Sequence, residues 1–140
     1  MFKQILIAHD GSDGARKAFD AAVDLAASLG AHLRMICVEE DLPRHAEVID
    51  EYREEKDRAD IYFGQLTAQC RARAALRSVD LETAILPGHA VKTIADFIQQ
   101  NGIDLLVIGF TGHSRIHERL QGGTAHNLMS IARSSVVVVK

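Results

Sequence analysis

The sequence predicts an α/β fold: a three-layer αβα sandwich on a five-stranded parallel sheet. Two observations lead there. Five apolar runs of strand length are separated by four longer stretches whose apolar residues recur every three or four positions. Turn and cap residues punctuate every junction, with no linker or internal repeat between them. Strands that alternate with helices in this way form a parallel sheet wrapped on both faces through right-handed crossovers.

Ile5 to Ala8 is the first strand, ended by Asp10-Gly11-Ser12. Ala18, Phe19, Ala22, Leu25, Ala26 and Leu29 then mark a helix that stops at Gly30. Leu33 to Val38 is the second strand, and Glu39-Glu40-Asp41-Leu42-Pro43 reads as a loop because Pro43 opposes regular pairing. A long helix follows with Ala59, Phe63, Leu66, Cys70 and Ala74 on its apolar stripe. Nine of the eleven residues from Asp50 to Asp60 are charged, with pairs such as Glu54 and Arg58 at the spacing of an exposed helical face. Leu81 to Ile85 alternates with period two, as expected of a less covered strand at a sheet edge, and ends at Pro87-Gly88. Val91, Ile94, Ala95 and Ile98 form the third helix up to Asn101-Gly102, before the buried strand Leu105 to Ile108. A glycine-bracketed loop, a helix through Leu128, Met129 and Ala132, and the strand Val136 to Val139 complete the chain.

With 140 residues, 47% hydrophobic and 25% charged, the chain reads as one globular domain over residues 1–140. Its net charge of -3 argues against a nucleic-acid binder, which would carry a basic face. Neither a secretory leader nor an apolar run of membrane-spanning length is present, so the expected compartment is cytoplasmic. Cys37 and Cys70 have neither metal-ligand nor redox spacing and read as small buried hydrophobes. Seven histidines include His113 and His117 at helical spacing, but nothing follows at structural-zinc spacing, and no metal site is expected.

Chemistry is suggested by the two ends of the chain. In a doubly wound sheet the ligand sits beyond the carboxyl ends of the strands, where the winding reverses. If the first three strands wind one way and the fourth returns to the far side of the first, Asp10 and Gly109 face one crevice. Asp10 there could accept hydrogen bonds from a ribose, coordinate a magnesium ion, or simply cap the helix beginning near Ser12. Glycines around the loop after the fourth strand let backbone amides approach an anion, and the next helix starts with free N–H groups that favour a phosphate. His113, Ser114, Arg115, His117 and Arg119 add donors and positive charge to the same loop. Gly11 and Gly14 read as turn and packing residues.

These features resemble the universal stress protein family over essentially the whole chain. Ile5 to Ser12 is similar to that family's first strand with its Asp-Gly-Ser turn, and Gly109, Gly112 and Gly122 match its Gly-x2-Gly-x9-Gly pattern. The resemblance implies a Rossmann-like fold of the adenine nucleotide alpha hydrolase-like type. It also implies a site for ATP or a related adenine nucleotide, with Mg2+ as a possible companion ion. Asp10 and Val38 would hold the adenosine, with Ala8, His9 and Ile108 beside them. Gly109, Gly112, His113, Ser114, Gly122, Gly123 and Thr124 would take the phosphates. After Gly122 the family pattern has Ser or Thr, whereas this chain has Gly123, with Thr124 one position late. One lost neutral hydrogen bond is about 1 kcal/mol, so a phosphate grip weaker by roughly fivefold to tenfold is expected.

The resemblance further implies a homodimer paired through Val136 to Val139, and a regulator whose output to an unnamed protein partner is conformational. Efficient catalysis is not expected. The chain lacks a Gly-x4-Gly-Lys-Ser/Thr loop, and adjacent strand residues such as His9 and Asp10 point to opposite faces, which leaves at most slow ATP hydrolysis. A nucleotide-free dimeric scaffold or chaperone-like stress protein is the alternative, supported by Gly123.

Overall fold

The computed structural model describes residues 1–40, 49–110 and 123–140. Strand β1 spans Gln4–Ala8 and leads into helix α1, Asp13–Leu29. Ser12 starts that helix: its Oγ accepts the Ala15 N–H at 3.2 Å, supplying a partner to one of the free amides of the first turn. Gly30 ends it in the left-handed conformation, with its N–H on the Ala26 carbonyl. Strand β2, His32–Glu39, extends one residue beyond the expected strand at each end. Helix α2 covers Ile49–Ala75, β3 covers Leu81–Pro87, and α3 covers Ala90–Gln100. Strand β4 is Leu105–Gly109; helix α4, Gly123–Ile131, and strand β5, Ser135–Val139, follow.

All four strand pairings are parallel, in the order β3-β2-β1-β4-β5. The winding therefore reverses between β1 and β4, as the expected topology requires. Strand alternation sends one set of side chains to each face. Ile5, Ile7, Leu33, Met35, Leu105 and Val107 pack with Phe19, Ala22, Phe63 and Leu66 from α1 and α2. Leu6, Ile36, Leu106 and Ile108 pack with Ile94, Ile98 and Leu128 from α3 and α4. Both cysteines lie buried and free in the first of these cores, as small apolar side chains.

The sheet has two edges of different character. β3 is the edge strand its alternation predicts, and it carries polar partners: Glu82 pairs with Arg34 at 3.0 Å and Thr83 accepts a hydrogen bond from Arg71. β5 presents Ser135 followed by four valines, all half-buried. Charge at an edge discourages pairing with another chain, and β5 has none within the strand. The outer face of α2 holds the expected Glu54–Arg58 pair at 3.9 Å, while Arg73–Asp20 binds α2 to α1 and Arg77–Asp24 binds the turn after α2 to the same helix.

Candidate functional site

The register places the candidate residues. Ile7 lies opposite Val107 and Ala8 opposite Ile36, so continuing the strands brings Ala8 beside Ile108 and Asp10 beside Val38. The His9 N–H bonds to the Ile36 carbonyl at 3.0 Å, which carries the β1–β2 pairing one residue further. Residues separated by about a hundred positions thus meet at one end of the sheet. Gly109 closes β4 at that same end, and the Phe110 N–H continues the β4–β5 pairing onto the Val139 carbonyl at 2.9 Å.

The turn after β1 is built from its own side chains. Asp10 Oδ1 accepts the Ser12 N–H at 2.9 Å, and His9 Nδ1 accepts the Gly11 N–H at 3.0 Å. Gly11 sits at φ +87°, a left-handed conformation that a side chain would resist. Because Ser12 caps α1, Asp10 is not needed for that task and its carboxylate stays exposed.

His9 keeps its backbone at the strand end but turns its ring to the α1 side, where it packs against Phe19 with centroids 6.0 Å apart. It is 3% exposed, and burial lowers its pKa to about 4, against an opposing pull from the Asp10 charge. Neutral at pH 7, with Nδ1 accepting, it is a structural residue whose side chain does not join Asp10.

Gly109 has a packing reason for its missing side chain. A Cβ there would come within 2.7 Å of the Gly14 carbonyl group on α1, so the backbone of the helix at Gly14 lies directly on this strand only because position 109 is glycine. The packing role read for Gly14 is thereby found, and Gly109 shares it. Gly123 and Thr124 open α4, both half-buried. Gly112, His113, Ser114 and Gly122 lie outside the described residues, as do Arg115, His117 and Arg119.

Around this end the charge is unequal. Asp10 and Glu40 are exposed carboxylates on the β1–β2 side, and Glu40 Oε1 accepts the Ala90 N–H at 2.8 Å, meeting the start of α3 with the chain's own anion. A phosphate would be repelled here. Hydroxyl and amine donors suit these acceptors, alongside the half-buried Ala8 and Val38 and the buried Ile108.

Two neighbours were not among the candidate site residues: Glu39, read as the start of the acidic loop but found as the last residue of β2, and Lys56, read as part of the exposed charged run. Glu39 continues the face of β2 that carries Leu33, Met35 and Cys37, and its side chain is fully buried under α2. Lys56 Nζ bridges Glu39 Oε1 at 3.2 Å and Asp60 Oδ1 at 3.1 Å. Burial raises the Glu39 carboxyl above the usual range, with Asp60 adding to the rise and Lys56 opposing it. The period-two face of β2 was the signal for Glu39. Lys56 sits one helical repeat before Ala59 and Phe63, where the stripe points to the sheet.

The fold is a Rossmann-like α/β domain with its switch point between β1 and β4. The chain belongs to the universal stress protein family, whose family model matches residues 1–140. It is similar to universal stress protein YxiE of Bacillus subtilis, with 29% identity covering 100% of both chains. Among solved structures it is similar to universal stress protein UspA from Lactobacillus plantarum, with TM-score 0.91, 29% identity, and 99% and 98% of the two chains covered. A universal stress protein in complex with cAMP is similar at TM-score 0.74 and 27% identity, covering 99% and 97% of the chains. Among the described residues no helix is long and apolar enough to cross a membrane.

Proposed function

We propose that the crevice at the carboxyl ends of β1, β2 and β4 binds ATP or a related adenine nucleotide, in a cytoplasmic stress-response regulator. The observation that carries this reading is the meeting of Ala8, Asp10, Val38 and Ile108 at the switch point between β1 and β4. A relative of the same fold in complex with cAMP supports the adenine class of ligand.

Asp10 accepts hydrogen bonds from the ribose hydroxyls, and Ala8, Val38 and Ile108 supply the apolar walls for the base. Repulsion from Asp10 and Glu40 directs the phosphates away from β2 and toward the β4–α4 connection, where Gly112, Gly122, Gly123 and Thr124 stand in the sequence. Amides at the start of α4 favour the negative charge, and Mg2+ would offset part of that charge in ATP. The output is conformational, through the surface that nucleotide binding orders. The uncharged β5 edge, with Val136 to Val139, supports pairing with a second copy.

Calorimetric titration with ATP and magnesium, together with a phosphate-release assay, tests the reading. Saturable binding without turnover is the expected result. Turnover would recast the protein as an ATPase, and absence of binding to ATP, AMP and cAMP alike would favour the nucleotide-free scaffold that Gly123 suggests.

A further inference from the structure

The N-terminal half of α2 reaches the carboxyl end of the sheet from the side opposite the crevice. Lys56 fixes it there, held between the buried Glu39 carboxylate and Asp60. Two residues beyond Asp60, Tyr62 lays its hydroxyl against Gly11, in the space a Cβ on that glycine would fill. The ring is steadied by an edge contact with Phe63, centroids 5.0 Å apart at 75°, and Phe63 is itself buried in the core.

We propose that Tyr62 is a positioning residue of the crevice: from α2 it holds the Asp10-Gly11-Ser12 turn in the shape that presents the Asp10 carboxylate. This rests on the nucleotide reading above. Within the turn, Asp10 and Ser12 are anchored by their own side chains, through Asp10 Oδ1 to the Ser12 N–H and Ser12 Oγ to the Ala15 N–H. Gly11 is held through its N–H, which His9 Nδ1 accepts at 3.0 Å, but it has no side chain of its own, and glycine moves freely between left- and right-handed conformations. Tyr62 supplies a second restraint from outside the turn, by standing against the Cα of Gly11 where a side chain would be. A side chain on Gly11 could not serve instead, since the φ of +87° disfavours one and Tyr62 already stands in its place. Tyr62 is 48% exposed, so its weight in the core is small and its effect on the turn is separable from its effect on the fold.

The test compares the parent with Tyr62→Ala and Tyr62→Phe at pH 7. Amide hydrogen exchange at Gly11 and Ser12 is read without nucleotide, and AMP affinity is read by calorimetry. Tyr62→Ala is expected to speed exchange at Gly11 and Ser12 by about tenfold and to weaken AMP about fivefold, with Tm moving by no more than about 3 °C, as for a surface change. Tyr62→Phe, which keeps the ring and loses the atom nearest Gly11, should fall between the two proteins in both readouts. Unchanged exchange at Gly11 and Ser12 in Tyr62→Ala overturns the proposal, and so does faster exchange spread evenly over α1 and α2. If the parent fails to take up AMP, the nucleotide reading falls by itself, and the exchange measurement still decides whether Tyr62 holds the turn.

Discussion

At the carboxyl ends of β1 and β2 the two sides of the sheet are treated in opposite ways. Toward α1 and α2 the chain sends His9 and Glu39, polar side chains that it buries against its own groups: His9 with the Gly11 amide and the Phe19 ring, and Glu39 through Oε1 with Lys56, while Glu39 Oε2 has no hydrogen-bond partner among the described residues. Their neighbours Asp10 and Val38 are left exposed and half-buried, with Glu40 exposed beside them. Among the described residues, one side is closed by the protein's own groups, and the other presents exposed carboxylates and half-buried apolar surface. Burying polar groups is costly unless they are partnered, and the His9 and Glu39 side chains are each tied to at least one partner, so the closed side works as a fixed support, and the open side is the one we propose for the ligand.

That contrast predicts that substitutions on the closed side change stability and those on the open side change affinity. The largest effect belongs to Phe19→Ala, which empties the ring under His9 and should cost about 3–5 kcal/mol in denaturant unfolding. A loss below about 1 kcal/mol would mean that this side is not packed as described.

Next comes His9, through pH. Its native pKa of about 4 lies below its ordinary 6.5, so between these values the unfolded chain binds more protons than the folded one. Its contribution is complete above pH 6.5 and is lost as the pH falls toward 4, by roughly 3 kcal/mol. Glu39 acts in the other direction, because a raised native carboxyl takes up its proton in favour of the folded state as the pH falls. The parent curve therefore mixes the two, and the difference between parent and His9→Asn isolates the histidine. In unfolding titrations the stability gap between parent and variant should close by roughly 3 kcal/mol from pH 7 to pH 4, whereas a gap independent of pH would contradict a buried neutral imidazole.

The smallest effect is expected at Asp10. Asp10→Asn keeps an oxygen for the Ser12 amide and removes only the charge, so unfolding should shift by no more than about 0.5 kcal/mol while AMP binding weakens about fivefold to tenfold. Equal affinity with lowered stability would reverse the roles of the two sides.

Much of this architecture could be read from the residues. Apolar runs of period two and period 3.6 located every element, and the alternation in Leu81 to Ile85 identified the β3 edge. The crevice followed from topology once the reversal lay between β1 and β4. What could not be read were the consequences of packing. Gly109 read as a ligand-loop glycine; the approach of Gly14 on α1 gives it a packing reason as well, and a contact between residues so far apart leaves no local pattern. His9 read as a pocket residue, although strand alternation already placed its side chain opposite that of Asp10. Lys56 disappeared into a charged run that reads as solvated, because composition does not say which one of nine charges turns inward. Tyr62 gave no signal, since it meets Gly11 only when α2 docks on the sheet.

Titrating isotope-labelled protein with AMP and following backbone amide resonances is the most direct check that the open side holds the adenosine. The shifts should concentrate at Ala8, Asp10, Val38 and Ile108, with the outer face of α2 and the β3 edge unmoved. Shifts confined to other surfaces, or none at millimolar AMP, would contradict it.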